Sequence, residues 1–356
     1  MTSLSLDTAR VSARAARGVG RVVLERPEAL NALDIAMVRG IRAALETWRE
    51  DPGIERIVLE GAGERGFCAG GDVRVLAGAI TSGDPEGAGL FFREEYALNA
   101  TIAEYPKPIV ALADGVTMGG GIGLAGHAAV RVVTERSALA MPETRIGFIP
   151  DVGGTHLLAR APGRLGEYLA LTGATMSAAD AIHAGFADLL VPSDRLGAMH
   201  EALESRAEPA AGAREVVMLF GEPPEPADLA RQRPWIDAAF GADDVPAILH
   251  ALRERTEPEA SAAAALIETL SPAALTVTLA SVRAAREKPD LRATLEREYA
   301  LAMWFAHAQP DMPEGVRARL IDKDGAPRWS PRSLAEVPDG LAEVALSYRP
   351  AVPLWT

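Results

Sequence analysis

KPIVALADGVTMGGGIGLAGHAAV (107–130) holds the pattern that decides the architecture. KPIVALADG (107–115) is a short apolar run bounded by proline and glycine, the mark of a buried strand. GGGIGLAGHAAV (119–130) then opens a helix on glycines. The same alternation runs through the first half. GVGRVVLERP (18–27) reads as a strand ended by proline, and IERIVLEGAG (54–63) as a buried strand ending in glycines. Between them, Met37, Val38, Ile41, Leu45 and Trp48 share one face at helical spacing over 34–49, with Arg39, Arg42 and Glu46 off it. A helix is expected over about 88–104, an extended stretch over 131–143, and helices over 153–161 and 166–173. Strands alternating with helices imply parallel strands joined by crossovers, an α/β class.

The second half changes character. Residues 205–235, with EPAAGAR, GEPPEPAD and RQRPW, are rich in proline and acid and read as a linker or irregular segment. From about 236 to 307 the pattern is nearly all helix, and Ser271-Pro272 marks one helix start. The expected organisation is therefore a core over 1–204, the linker over 205–235, and a helical C-terminal region over 236–356.

The bulk properties exclude several functions. With 356 residues, 48% of them hydrophobic, the chain can bury a large core. A net charge of −13 argues against general attraction to nucleic acid or an anionic membrane. The single cysteine, Cys68, cannot form an intrachain disulfide, and the six histidines show no structural-zinc spacing. No run of 18 apolar residues suggests a membrane span. The start, MTSLSLDTARVSARAARGVG, lacks a secretory core and, though faintly like an organellar presequence, reads as a frayed lead. A cytoplasmic protein is expected.

Three glycine clusters are candidates for chemistry: GAGERGFCAGGD (61–72), TMGGGIG (117–123) and PDVGGTH (150–156). Free N–H groups at a glycine-opened helix can stabilise a phosphate or a developing oxyanion. Neither a dinucleotide GxGxxG nor a Walker motif is present. Each cluster alone is explained by close backbone packing.

Two proline–acid pairs, Pro142-Glu143 and Pro150-Asp151, pose the functional question. One continuous helix would separate the two acids by roughly 12 Å along its axis, but Gly147 and Pro150 argue against continuity. Local rules make Asp151 the cap of a helix near Gly153 and place Glu143 in a first helical turn. Two separate turns would instead bring both to one pocket.

Taken together, RPEALNAL (26–33), GFCAGGDV (66–73), the GGG of 119–121 and PETRIGFIPDVGGTHLL (142–158) resemble the crotonase, or enoyl-CoA hydratase/isomerase, superfamily. FFREEYALN (91–99) and EGVRARLIDKDGAPRW (314–329) look like its 3-hydroxyisobutyryl-CoA hydrolase branch. The resemblance spans nearly the whole chain. It implies a spiral of repeated β-β-α units with a helical C-terminal region covering the active site. It also implies an acyl-CoA substrate held with its thioester carbonyl between the main-chain N–H groups of Gly71 and Gly120. Superfamily hydratases carry a glutamate three residues past the central glycine of GGG; here that position is Gly123. Their second glutamate matches Glu143, and where they typically have glycine this chain has Asp151.

In the hydrolase branch, Glu143 acts on water as a general base or attacks the thioester itself. Asp151 orients water or carries the proton, and Glu95 approaches the acyl portion of the substrate. The implied reaction gives CoA and a free hydroxy acid, as in valine breakdown, with no metal and no cofactor beyond the CoA of the substrate. Arg26, Lys323 and Arg328 are candidates for the CoA phosphates and equally for solvated surface charge. Cys68, His127 and His156 read as packing residues. The expected partners are the acyl-CoA substrate and, as the superfamily allows, further copies of the chain, with neither nucleic acid nor membrane. The rival readings are a hydratase or isomerase using Glu143 as base, and a non-enzymatic binding protein on the same fold.

Overall fold

The computed structural model describes residues 10–205 and 212–355. They pack into two compact units, each discontinuous in sequence. The first comprises residues up to Gly71, Ala97–Leu139 and Met176–Ala227; the second comprises Asp72–Tyr96, Ala140–Thr175 and Asp228 onward.

The first unit is built on strands β1 (Val11–Ala16), β2 (Val19–Leu24), β3 (Arg56–Gly61), β4 (Gly66–Cys68), β5 (Ile109–Ala113), β6 (Val116–Met118), β7 (Val130–Val133), β8 (Ala138–Ala140) and β9 (Leu189–Leu190). A six-stranded sheet has the order β1-β2-β3-β5-β7-β9, and a three-stranded sheet the order β4-β6-β8. Successive turns of chain thus give one strand to each sheet: β3 then β4, β5 then β6, β7 then β8. From β2 onward the larger sheet is parallel, as the strand–helix alternation requires. Its valines Val19, Val58, Val110, Val130 and Val132 form one core with Met199, Leu203, Val216 and Val217 from the helices Leu196–Glu204 and Ala213–Met218.

The Ile35–Arg49 helix follows its sequence signals closely. Asp34 caps it by accepting from the Met37 N–H at 2.8 Å, and Met37, Val38, Ile41, Leu45 and Trp48 are all buried.

Two expectations are corrected. Part of the stretch read as a frayed lead is β1, antiparallel to β2 through a turn at Arg17-Gly18, where φ is +50° and +87°. VSARAA hides its strand character because alanine and arginine give no clear alternation, although Val11 and Ala13 are buried. The rest of that reading, residues 1–9, lies outside the described residues. The irregular segment expected over 205–235 instead contains the Ala213–Met218 helix and the beginning of the Asp228–Phe240 helix. The latter runs through Pro234 because its burial of Leu229, Trp235, Ile236, Ala239 and Phe240 outweighs one lost backbone bond. Residues 206–211 of that segment lie outside the described residues.

The second unit is helical. The Pro272–Glu287 helix is central and packs on Gly154–Arg160, Leu165–Thr172 and Leu341–Ser347. Ser271 caps it from the expected Ser-Pro start, accepting from the Ala274 N–H at 3.0 Å. Phe92 stacks on Phe148 at 5.8 Å between ring centres, and Phe148 meets Phe305 edge-on at 5.5 Å. Phe92 also lies against the Tyr96 ring at 6.0 Å.

Candidate active site

Glu143 and Asp151 lie on two separate turns of the second unit. Glu143 begins a short 3-10 turn, Glu143–Ile146, which Gly147 ends in the left-handed region. Asp151 precedes the Gly154–Arg160 helix, whose cap is Gly153 without any side-chain bond. Asp151 is therefore not the helix cap that local rules suggest. Its carboxylate accepts the Tyr96 hydroxyl at 2.6 Å, deep in the protein.

Both acids are 7% exposed, and Glu95 is 2% exposed. Oε2 of Glu143 and Oε1 of Glu95 have no hydrogen-bond partner among the described residues. Buried polar atoms are nearly always paired, so unpaired carboxylate oxygens point to a ligand or water rather than to a structural task. Burial, reinforced by the charge of Asp151, pushes Glu143 and Glu95 well above the ordinary carboxylate range. Burial raises Asp151 to about 7, against the opposing effect of the Tyr96 hydrogen bond. Like charges packed out of water cannot all ionise together, so this cluster holds protons near neutrality.

Two residues that the sequence did not reveal complete the cluster. Tyr96 is fully buried, and burial with the Asp151 charge raises its own pKa. Glu298 reaches in from the middle of the Leu291–Ala308 helix. It accepts the N–H of Gly153 at 2.6 Å, the N–H of Thr155 at 2.9 Å and the Thr155 hydroxyl. A weak signal existed for Tyr96, which follows Glu95 in FFREEY. None existed for Glu298, one acid in a charged helix.

In the first unit, RPEALNAL proves to be a support. Asn31 sits at φ +55°, fully buried, and donates to the carbonyls of Ala62 and Gly66, each at 3.0 Å. Leu30 and Leu33 then bond the Ala69 and Gly70 backbone. These contacts hold the loop that carries Gly71. Gly120 is the first residue of the Gly120–Ala125 helix, where a backbone N–H has no intrahelical acceptor. The loop and the GGG run meet closely: a Cβ on Gly70 would lie 3.3 Å from the Gly120 nitrogen, and one on Gly121 would lie 2.1 Å from the Cys68 carbonyl oxygen. Only glycine permits that approach. Cys68 is buried, as expected of a packing residue.

Residues 19–346 match the family model described as enoyl-CoA hydratase/isomerase. The chain belongs to the enoyl-CoA hydratase/isomerase family. Among its relatives in this family is the mitochondrial 3-hydroxyisobutyryl-CoA hydrolase of Rattus norvegicus, 41% identical over 94% of this chain and 87% of that one. The Homo sapiens protein of the same name is 39% identical over 89% of this chain and 83% of its own length. A solved structure titled carnitinyl-CoA dehydratase, from Mycobacterium thermoresistibile, is 43% identical, covers 98% of both chains and has a TM-score of 0.91. Another, titled enoyl-CoA hydratase, from Rhodobacter sphaeroides, is 40% identical with a TM-score of 0.89 over 96% of this chain and 98% of that one. The crotonase fold expected for this family member, with its β-β-α repeat and helical C-terminal region, is the fold it shares with these structures. Among the described residues no single helix is long and apolar enough to cross a membrane.

Proposed function

We propose that this chain hydrolyses 3-hydroxyisobutyryl-CoA, a short branched hydroxyacyl thioester, to CoA and the free hydroxy acid. The observation that carries the proposal is the buried trio Glu143, Asp151 and Glu95, in which Glu143 and Glu95 each keep a carboxylate oxygen without a partner among the described residues. The names of relatives near 40% identity support the same reaction.

In this reading the thioester carbonyl accepts hydrogen bonds from the Gly71 and Gly120 N–H groups. Each such donor contributes about 3–4 kcal/mol when charge grows on the oxygen. Glu143 either takes a proton from the attacking water or bonds to the carbonyl carbon itself, to be released by water in a second step. In both routes the C–S bond breaks, the sulfur leaves with the electron pair, and one water supplies the acid's new oxygen and the thiol's proton. Asp151, held by Tyr96, orients that water or carries the proton. A thiol leaves readily, having a pKa of about 8.5, so strong acid catalysis is not needed. Glu95, raised by burial and with Oε1 unpartnered among the described residues, is suited to the substrate hydroxyl. No metal or further cofactor enters this scheme.

A second reading, hydration or dehydration of a C=C bond, draws support from the titles of the two solved relatives. Gly123 stands against it, since the resemblance places an acid there in hydratases. A thiol-release assay on 3-hydroxyisobutyryl-CoA, run beside hydration of crotonyl-CoA, decides between them. Rapid hydration with the hydroxyacyl thioester left intact would remove the hydrolase. The cytoplasmic placement stays a proposal, since the curated relatives above are named mitochondrial; cell fractionation tests it.

A further inference from the structure

The Asp151–Thr155 turn runs against residue preference. Val152 lies at φ +55° and Gly153 at φ +79°. A β-branched residue in the left-handed region is strained and persists only when its surroundings enforce it. Glu298 braces the residues that follow: its two carboxylate oxygens take the N–H groups of Gly153 and Thr155 and the Thr155 hydroxyl. The Asp151 carbonyl meanwhile accepts the Gly154 N–H at 2.6 Å. Holding Gly153 and Thr155 thus fixes the backbone on which Asp151 stands.

Hydrogen bonding alone does not explain a carboxylate here. Glu298 is 0% exposed, and the groups that donate to it, two backbone N–H groups and a hydroxyl, are neutral. Keeping a charge in such a place is costly, and a neutral acceptor would serve a purely structural turn. We infer that Glu298 is a positioning residue for the hydrolysis proposed above, fixing the Asp151 turn and setting, through its charge, the pH at which Glu143 is ready to react.

The charged and titratable groups around it are Asp151 on the turn, Glu143 on the neighbouring 3-10 turn, Tyr96 and Arg297, with Glu95 acting on Glu143 and Tyr96. Burial lifts Glu298 to about 7, opposed by its Thr155 and Gly153 hydrogen bonds and assisted by the Asp151 charge. Asp151 is also raised to about 7. Glu298 in turn pushes Glu143 upward. Removing the charge must therefore lower the pH at which Glu143 loses its proton.

Three variants test the inference. Glu298→Gln should shift the acid limb of the kcat profile to lower pH by about one unit. Glu298→Asp keeps the charge but shortens the reach, so kcat should fall about tenfold or more with the limb unmoved. Thr155→Val removes one donor and favours the protonated form of Glu298, so it should shift the limb in the same direction as Gln, by less. It also keeps both backbone bonds should the Gln variant fold poorly. Carboxyl titration of wild type and variants by carbon-13 NMR reads the same displacement of Glu143 without turnover. Absence of thiol release by the wild type would strike the hydrolase reading alone, and the NMR titration would still judge Glu298. Unchanged Glu143 titration and an unchanged limb in both Glu298→Gln and Thr155→Val would overturn the inference.

Discussion

The Tyr96 hydroxyl donates to Oδ2 of Asp151 across 2.6 Å, joining helix Pro85–Ala103 to the turn before Gly153. This bond favours the ionised aspartate and opposes the upward push of burial. Tyr96→Phe should therefore raise the Asp151 pKa above about 7 and move the pH optimum of thiol release upward. At neutral pH, kcat should fall by about tenfold, with partial recovery at higher pH. A pH–rate profile of the variant checks this; a uniform loss at every pH would contradict it.

The raised carboxyls also predict how stability depends on pH. Asp151 moves from 3.8 to about 7 and Glu298 from 4.5 to about 7, so the folded chain binds these protons more tightly than the unfolded one. Their contribution is complete below the ordinary pKa values and is lost as pH rises towards about 7. Asp151→Asn removes one buried charge while leaving an oxygen for Tyr96. Its Tm should exceed that of the wild type at about pH 8, and the gap should shrink at about pH 5. The gain is bounded at about 4 kcal/mol. Thermal melts at both pH values measure it.

The glycine approach gives a third expectation. A methyl on Gly121 would fall 2.1 Å from the Cys68 carbonyl, next to the loop carrying Gly71. Gly121→Ala should cost about 1–3 kcal/mol of stability through overpacking. Thiol release should drop well beyond what the unfolded fraction explains, because the paired N–H groups move apart. Denaturant unfolding with activity per folded molecule separates the two effects.

Much of this was legible from the chain alone where the physics is local. The Ile35–Arg49 helix declares itself through Asp34 and its apolar spacing, and the parallel strands through their valine-rich runs. Glu143 and Asp151 stood out because proline and glycine isolate them on separate turns. Tyr96 and Glu298 did not, because their roles arise from contacts 55 and 145 residues away. No periodicity or capping rule marks such partners. Asn31 was part of a recognised motif, yet its task, three hydrogen bonds at a left-handed position, emerges only once Ala62 and Gly66 are brought to it. β1 and the helix through Pro234 are hard to read from the sequence because small alanines in one and a proline in the other conceal burial that only tertiary packing supplies.

The most direct measurement compares wild type and Glu143→Gln for release of CoA thiol from 3-hydroxyisobutyryl-CoA, with CoA-ligand affinity measured on both. The amide keeps the shape but can neither take a proton nor attack. Rapid release by the wild type is expected, with a fall in kcat of about 10²–10⁴-fold in the variant and ligand affinity nearly unchanged. Full turnover by Glu143→Gln would contradict it.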